Sequence, residues 1–177
     1  MDVQRLLCPP APWAAFHMKQ SATCARRAGD LFGLLSPTSM AHTYDSISVG
    51  DTHTFTRTVT MADVQAFADV TGDDNPIHVD PTAGEASRFG TNVVHGVLLL
   101  GLASKVLGRD FPGDGSVAVS LSAKFLRPVP VGSEVTVEVK VSEKIERHQH
   151  VKIRLYCYTG GKMCVGGEAV VIPPTGE

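Results

Sequence analysis

Val93-Val94-His95-Gly96-Val97-Leu98-Leu99-Leu100-Gly101-Leu102-Ala103-Ser104-Lys105-Val106-Leu107 is the most apolar stretch of this 177-residue chain. Apolar side chains fall on nearly every face of a helix of this length, so the spacing predicts a helix buried all round. Gly108 and Pro112 end it. Its uncharged run, Val93 to Ala103, is far short of the ~20 residues that cross a bilayer, so no membrane span is expected.

Downstream the pattern changes to period two. Val117, Val119, Leu121, Ala123 and Phe125 alternate along one face of a strand. Val135 to Val141 and Val151 to Cys157 do the same, and Val165 to Ile172 forms a fourth strand. Gly160-Gly161 between Tyr158 and Met163 is a tight hairpin turn. Upstream, Asp45 to Thr60 reads as a strand rich in β-branched Thr. Thr60 with Asp63 marks a capping box, Val64, Phe67, Ala68 and Thr71 share one helix face, and Gly72 closes that helix. The segment from Asp73 to Asn92 reads as a long polar loop, of a length that is often functional. About five antiparallel strands therefore need one apolar cover, and the Val93–Leu107 helix is the only element able to supply it. The expected class is α+β: a single hotdog domain, an antiparallel sheet wrapped around one long buried helix.

Residues 1–43 read differently from residues 44–177. Four of the sixteen bases but only two of the eighteen acids precede Ala41, so the remainder carries a formal −4 against −2 for the whole chain. Such a basic, acid-poor, Ser-containing start reads as a transit peptide or a disordered leader, with Met40 as an alternative start. Pro and charged residues interrupt any secretory h-region. A net charge of −2 argues against a broad nucleic-acid footprint. Cys8, Cys24, Cys157 and Cys164 contain no CxxC spacing, which argues against structural zinc and dithiol redox chemistry. Cys157 and Cys164 would face each other across the Gly160-Gly161 turn, as reduced apolar residues.

Two clusters carry chemistry. Asp73-Asp74-Asn75-Pro76-Ile77-His78 sets a carboxylate and an imidazole five residues apart in a proline-restricted turn. Imidazole shuttles protons near neutral pH, and a carboxylate partner can hold or supply one. The spacing alone is also what solvated loop residues show. His95-Gly96 opens the buried helix, where unpaired amides and the helix dipole favour developing negative charge. A glycine there is equally compatible with a helix start that binds nothing. His148 and His150 form a weak metal-like pair, and no metal is expected. Arg147, His148, His150, Lys152 and Arg154 make a basic stretch that reads as a solvated strand face. It competes with Arg88, Lys105, Lys124 and Arg127 for the phosphates of a ligand.

Thr71-Gly72-Asp73-Asp74-Asn75-Pro76-Ile77-His78-Val79-Asp80 resembles the hydratase 2 motif of the MaoC-like, (R)-specific enoyl-CoA hydratase family. Val94-His95-Gly96-Val97-Leu98-Leu99 and Phe125-Leu126-Arg127-Pro128-Val129-Pro130-Val131-Gly132-Ser133 resemble two further blocks of that family, in register. The resemblance spans residues 44–173. It implies a lyase that reversibly hydrates trans-2-enoyl thioesters of coenzyme A or acyl carrier protein to (R)-3-hydroxyacyl thioesters. It implies a homodimer, and no cofactor beyond the carrier that is part of the substrate. By the resemblance, Asp73 and His78 are the catalytic dyad, Gly96 gives its N–H to the thioester oxygen, and Asn75 and Ser104 support the site. Which dyad member is base and which acid stays open. A mitochondrial location follows if the leader is a transit peptide, a cytoplasmic one if translation starts at Met40. The competing readings are a non-catalytic acyl-binding subunit and a hotdog thioesterase. The absence of Asp or Glu between Val97 and Leu107 weighs against the thioesterase.

Overall fold

The structure, a computed structural model, describes residues 41–175. The expected leader, with Cys8 and Cys24, lies outside the described residues apart from its last three positions. Helix α1 spans Met61–Thr71, and its start is the expected capping box: the Asp63 carboxylate accepts from Thr60 N at 2.8 Å while Thr60 Oγ1 accepts from Asp63 N. Gly72 closes it at φ 76°, a left-handed conformation that only glycine adopts freely.

Five strands form one antiparallel sheet in the order β1-β3-β4-β5-β2. They are β1 (Thr52–Thr58), β2 (Val117–Phe125), β3 (Glu134–Ile145), β4 (His150–Thr159) and β5 (Lys162–Ile172). β1 is shorter than the Asp45–Thr60 expectation, because residues 43–51 turn back on themselves, with Ser48 N donating to Asp51 Oδ2 at 2.8 Å. The β4–β5 hairpin turns through Gly160 and Gly161, both at positive φ, as a two-residue turn requires. Val135, Val137, Val139 and Val141 on β3 and Val151, Ile153, Leu155 and Cys157 on β4 put their side chains on one face, all fully buried.

Helix α4 (Gly96–Lys105) packs in the concave face of that sheet and continues as a π-wound turn over Val106–Asp110. Leu99, Leu102, Ala103, Val106 and Leu107 are buried in the shared core. The expectation of a helix buried on all sides is corrected here. Val97 is 59% exposed, and Gly101, Ser104 and Lys105 are exposed with it, one stripe at helical spacing. A five-stranded sheet covers only one side of a cylinder about 10 Å across, so the far side stays open. β2 departs from expectation too. A register shift at Val119 breaks its alternation, and Val117 and Val119 stand 56% and 53% exposed on the sheet edge. Cys157 and Cys164 are free and buried but not paired in register: Cys157 lies opposite Val165, and Cys164 Sγ sits 3.2 Å from the Cys157 carbonyl.

The polar stretch after α1 is not a bare loop. It holds α2 (Pro76–Val79) and α3 (Pro81–Ala86). Asn75 caps the first through Ile77 N, and Asp80 caps the second through Thr82 N at 2.8 Å. Each cap is followed by proline at the first helical position, where its missing N–H costs nothing. The repeated Asx-Pro pair was the readable signal.

Candidate active site

The short helix α2 delivers His78, and the turn after α1 delivers Asp73. His95 precedes α4 and comes up beneath both. One nitrogen of each histidine and one Asp73 carboxylate oxygen all lie within 4.8 Å of one another. Two water hydrogen bonds of about 2.8 Å at a tetrahedral angle span about 4.6 Å, so a single water fits between such groups. Asp73 is 54% exposed, His78 is half-buried and His95 is buried. The site therefore opens to solvent on its carboxylate side.

His78 is held by its edge. Its Nδ1 lies 2.6 Å from the Val93 carbonyl. A carbonyl only accepts, so Nδ1–H donates and Nε2 is left to exchange a proton. Asn92 fixes the same region. It is buried, and its Nδ2 donates to the Ile77 carbonyl at 3.1 Å and the Asp80 carbonyl at 2.8 Å. It thereby ties both ends of the segment carrying His78 to the strand-like run before α4. That run is itself anchored, since Val94 N donates to the Val129 carbonyl and Val131 N to the Asn92 carbonyl. Asn92 did not stand out in the sequence, and His95 stood out only as the residue before Gly96, with no role for its ring. An amide inside an apolar-flanked segment was the one available signal.

The other expected residues divide. Asn75 is next to the dyad in sequence, but its side-chain oxygen is occupied as a helix cap, which makes it part of the bend rather than a free contact. Gly96 opens α4, and no side chain caps that end. It lines a cavity of 410 Å³ with Phe125, Leu126, Val97, Arg88 and Arg127 among the other walls. A Cβ at position 96 would lie 2.7 Å from the Phe125 ring, so a glycine is needed for packing as well as for approach. Among the described residues of one chain, Ser104 makes no hydrogen bond to Asp73, Asn75 or His78. It is eight residues along α4 from Gly96, about 12 Å at 1.5 Å per residue, on the exposed side.

Asp73, His78 and His95 are also the one described group of three potential metal ligands. Ligation through His95 Nε2 would break its bond to the Asp73 carbonyl, described below. His148 and His150 lie with ring centroids 5.5 Å apart and join no third ligand among the described residues. In the basic stretch, Lys152 pairs with Glu143 at 2.9 Å, and Arg154 sits opposite Glu168 in the β4–β5 register. Lys105 is held by both Asp110 oxygens and lies 3.7 Å over the Phe55 ring. Arg88 and Arg127 remain as the cations on the Gly96 cavity, the first against the Phe89 ring, the second donating to the Met163 carbonyl.

Comparison with known proteins bears on the family and the fold. The MaoC like domain family matches residues 48–158. The (R)-specific enoyl-CoA hydratase of Aeromonas caviae is 39% identical over 130 residues, 73% of this chain and 97% of that one. A solved (R)-hydratase from A. caviae involved in PHA biosynthesis superposes with TM-score 0.71, at 39% identity over 73% of this chain and 98% of the other. The mitochondrial 3-hydroxyacyl-[acyl-carrier-protein] dehydratase of Arabidopsis thaliana is 31% identical over 132 residues, 72% of this chain and 78% of that one.

Proposed function

The chain belongs to the MaoC-like domain family, and from that premise we propose that it is a hydro-lyase adding water reversibly to trans-2-enoyl thioesters to give (R)-3-hydroxyacyl thioesters. The observation that carries the assignment of residues is that a ring nitrogen of His78 and a carboxylate oxygen of Asp73 lie within 4.8 Å of one another, beside the uncapped start of α4.

Asp73 and His78 Nε2 hold the water over C3 of the enoyl group. As its oxygen bonds to C3, one of the pair takes its proton and a proton is delivered to C2. The thioester oxygen gains charge meanwhile and is met by the Gly96 N–H at the positive end of α4. Acid–base help of this kind is worth about 10²–10⁴-fold, and one oxyanion donor about 10²–10³-fold. No step needs a metal, because the thioester carbonyl already polarises the alkene.

The carrier is coenzyme A or acyl carrier protein. Arg88 and Arg127 on the Gly96 cavity suit its phosphates better than the acid-paired β4 face does. The working unit is a homodimer: β2 is an edge strand with exposed Val117, Val119 and Phe125, the kind of edge that pairs with another chain. Residues 1–43 act as a mitochondrial transit peptide, a reading favoured by their charge and by the mitochondrial naming of the Arabidopsis relative. No helix among the described residues is long and apolar enough to cross a membrane.

Incubation with crotonyl-CoA tests the reaction. The enoyl absorbance should fall without release of free thiol. Thiol release would make the protein a thioesterase, and an unchanged spectrum would make it a binding subunit.

A further inference from the structure

His95 has a set of contacts that helix capping does not explain. It occupies the cap position of α4 yet makes no side-chain cap bond. Its Nε2 instead lies 2.9 Å from the main-chain carbonyl of Asp73, twenty-two residues earlier. Its ring lies 3.9 Å from the His78 ring, centroid to centroid, at 32° between planes, and 4.7 Å from the Phe67 ring at 46°. Rings from α1, α2 and the start of α4 therefore meet at His95.

The side chain is 2% exposed, and its Nδ1 has no partner among the described residues. Because a carbonyl accepts only, Nε2–H donates, and Nδ1 is left as a buried lone pair. Such an orphan acceptor is destabilising, because its desolvation is not repaid. An aromatic hydrocarbon ring would keep the ring contacts without that penalty. What the imidazole adds over such a ring is its hold on Asp73: the bond to the main-chain carbonyl, with Nε2 also 4.0 Å from the carboxylate Oδ2. Polar groups kept in a core against their local cost are expected at functional sites.

We propose that His95 is a positioning residue of the dyad: it fixes the Asp73 main chain through Nε2–H and the ring plane of His78 by stacking beneath it. The Asp73 carboxylate sits on a turn after a left-handed glycine, exposed on its other side. Its main-chain carbonyl accepts one side-chain hydrogen bond, that from His95. Val93 O holds the edge of the His78 ring and His95 its face, so the two contacts together set its orientation. Misplacement of a reacting group by about 1 Å can cost about 10²-fold in rate. This role rests on the proposed hydration.

The experiment compares wild-type, His95→Phe and His95→Gln proteins in crotonyl-CoA hydration, with thermal melts of each. Phe keeps a ring between its neighbours and loses the donor; Gln keeps an amide donor near the Nε2 position and loses the ring. Expected for His95→Phe is a kcat lower by about 10²-fold, KM within about 3-fold and a melt within a few degrees of wild type. His95→Gln should recover at least about 5-fold of that kcat. A His95→Phe kcat within about 3-fold of wild type overturns the proposal. So does a loss of kcat that tracks loss of folded protein, or Gln giving no recovery, or failure of both variants to fold, each of which makes the residue structural only. If wild-type protein itself leaves crotonyl-CoA unchanged, the functional reading fails, a result distinct from all of these.

Discussion

Gly96 is asked to do two things at once. Its backbone must stay bare toward the cavity, and the space where a Cβ would sit is filled by the Phe125 ring. Phe125 lies on the strand edge proposed to meet a second chain, so its ring cannot simply swing outward. Gly96→Ala should therefore cost about 1–3 kcal/mol of stability while lowering kcat/KM by about 10-fold or more. Melts and initial rates on the same preparation check this; a fully active Ala variant would show that the approach does not need a bare backbone at position 96. Asn92 is the opposite case, a buried amide whose two bonds bind the backbone around His78. Asn92→Leu removes both amide bonds, although the Ile77 and Asp80 carbonyls keep the Val93 and Gly84 N–H groups, and should cost about 1–2 kcal/mol, with kcat falling alongside. A Leu variant of unchanged melting temperature and rate would show that the tie does not hold the site. At this scale the sequence showed Asp73, His78 and Gly96 because their chemistry is local, a motif within a few residues. Asn92 and the ring of His95 act across twelve to twenty-two residues of chain, which no local pattern encodes.

Among the elements, α1 rests on the Thr60–Asp63 capping box. The Thr60 N–H, then its hydroxyl, hold the Asp63 carboxyl below its ordinary value of 3.8, with Arg57 helping, against the upward push of burial. A depressed folded value means the stabilisation is fully present above the ordinary value and is lost as pH falls through the folded one. Wild-type protein should thus melt higher than Asp63→Asn at pH 6, and the gap should shrink below about pH 4. A gap that persists unchanged at pH 3 would contradict the capping account. β2 is the element whose apolar side chains find no cover in one chain. Leu121→Lys at this edge should convert a dimer to monomer in light scattering, with little change in secondary structure. A wild-type monomer would contradict the homodimer outright. Period-two alternation announced β2 as a strand but not as an edge, since edge or centre depends on strand order. The same blindness hid the open stripe on α4: hydropathy shows what a helix is made of, not how much sheet is available to cover it.

For the whole molecule, the buried valines of the central strands and the apolar side of α4 make a single core, and the class of fold was readable because that core needs one long apolar helix and one sheet. The core also seals both described thiols. Burial pushes Cys157 up to about 12 and raises Cys164 as well. Native protein should leave these two thiols unreactive to a disulfide reagent at pH 8, and denaturant should expose them; prompt native labelling at Cys157 would mean the core opens. The catalytic proposal makes the most exposed demand on this architecture, because it needs a solvent-open carboxylate and a fixed imidazole to act on one water. The direct measurement is crotonyl-CoA hydration by wild-type, Asp73→Asn and His78→Gln proteins, with chiral analysis of the product. The account predicts (R)-3-hydroxybutyryl-CoA from wild type and a kcat at least about 10²-fold lower in each variant, all three melting alike. Near-wild-type turnover by either variant, or an (S) product, would contradict it.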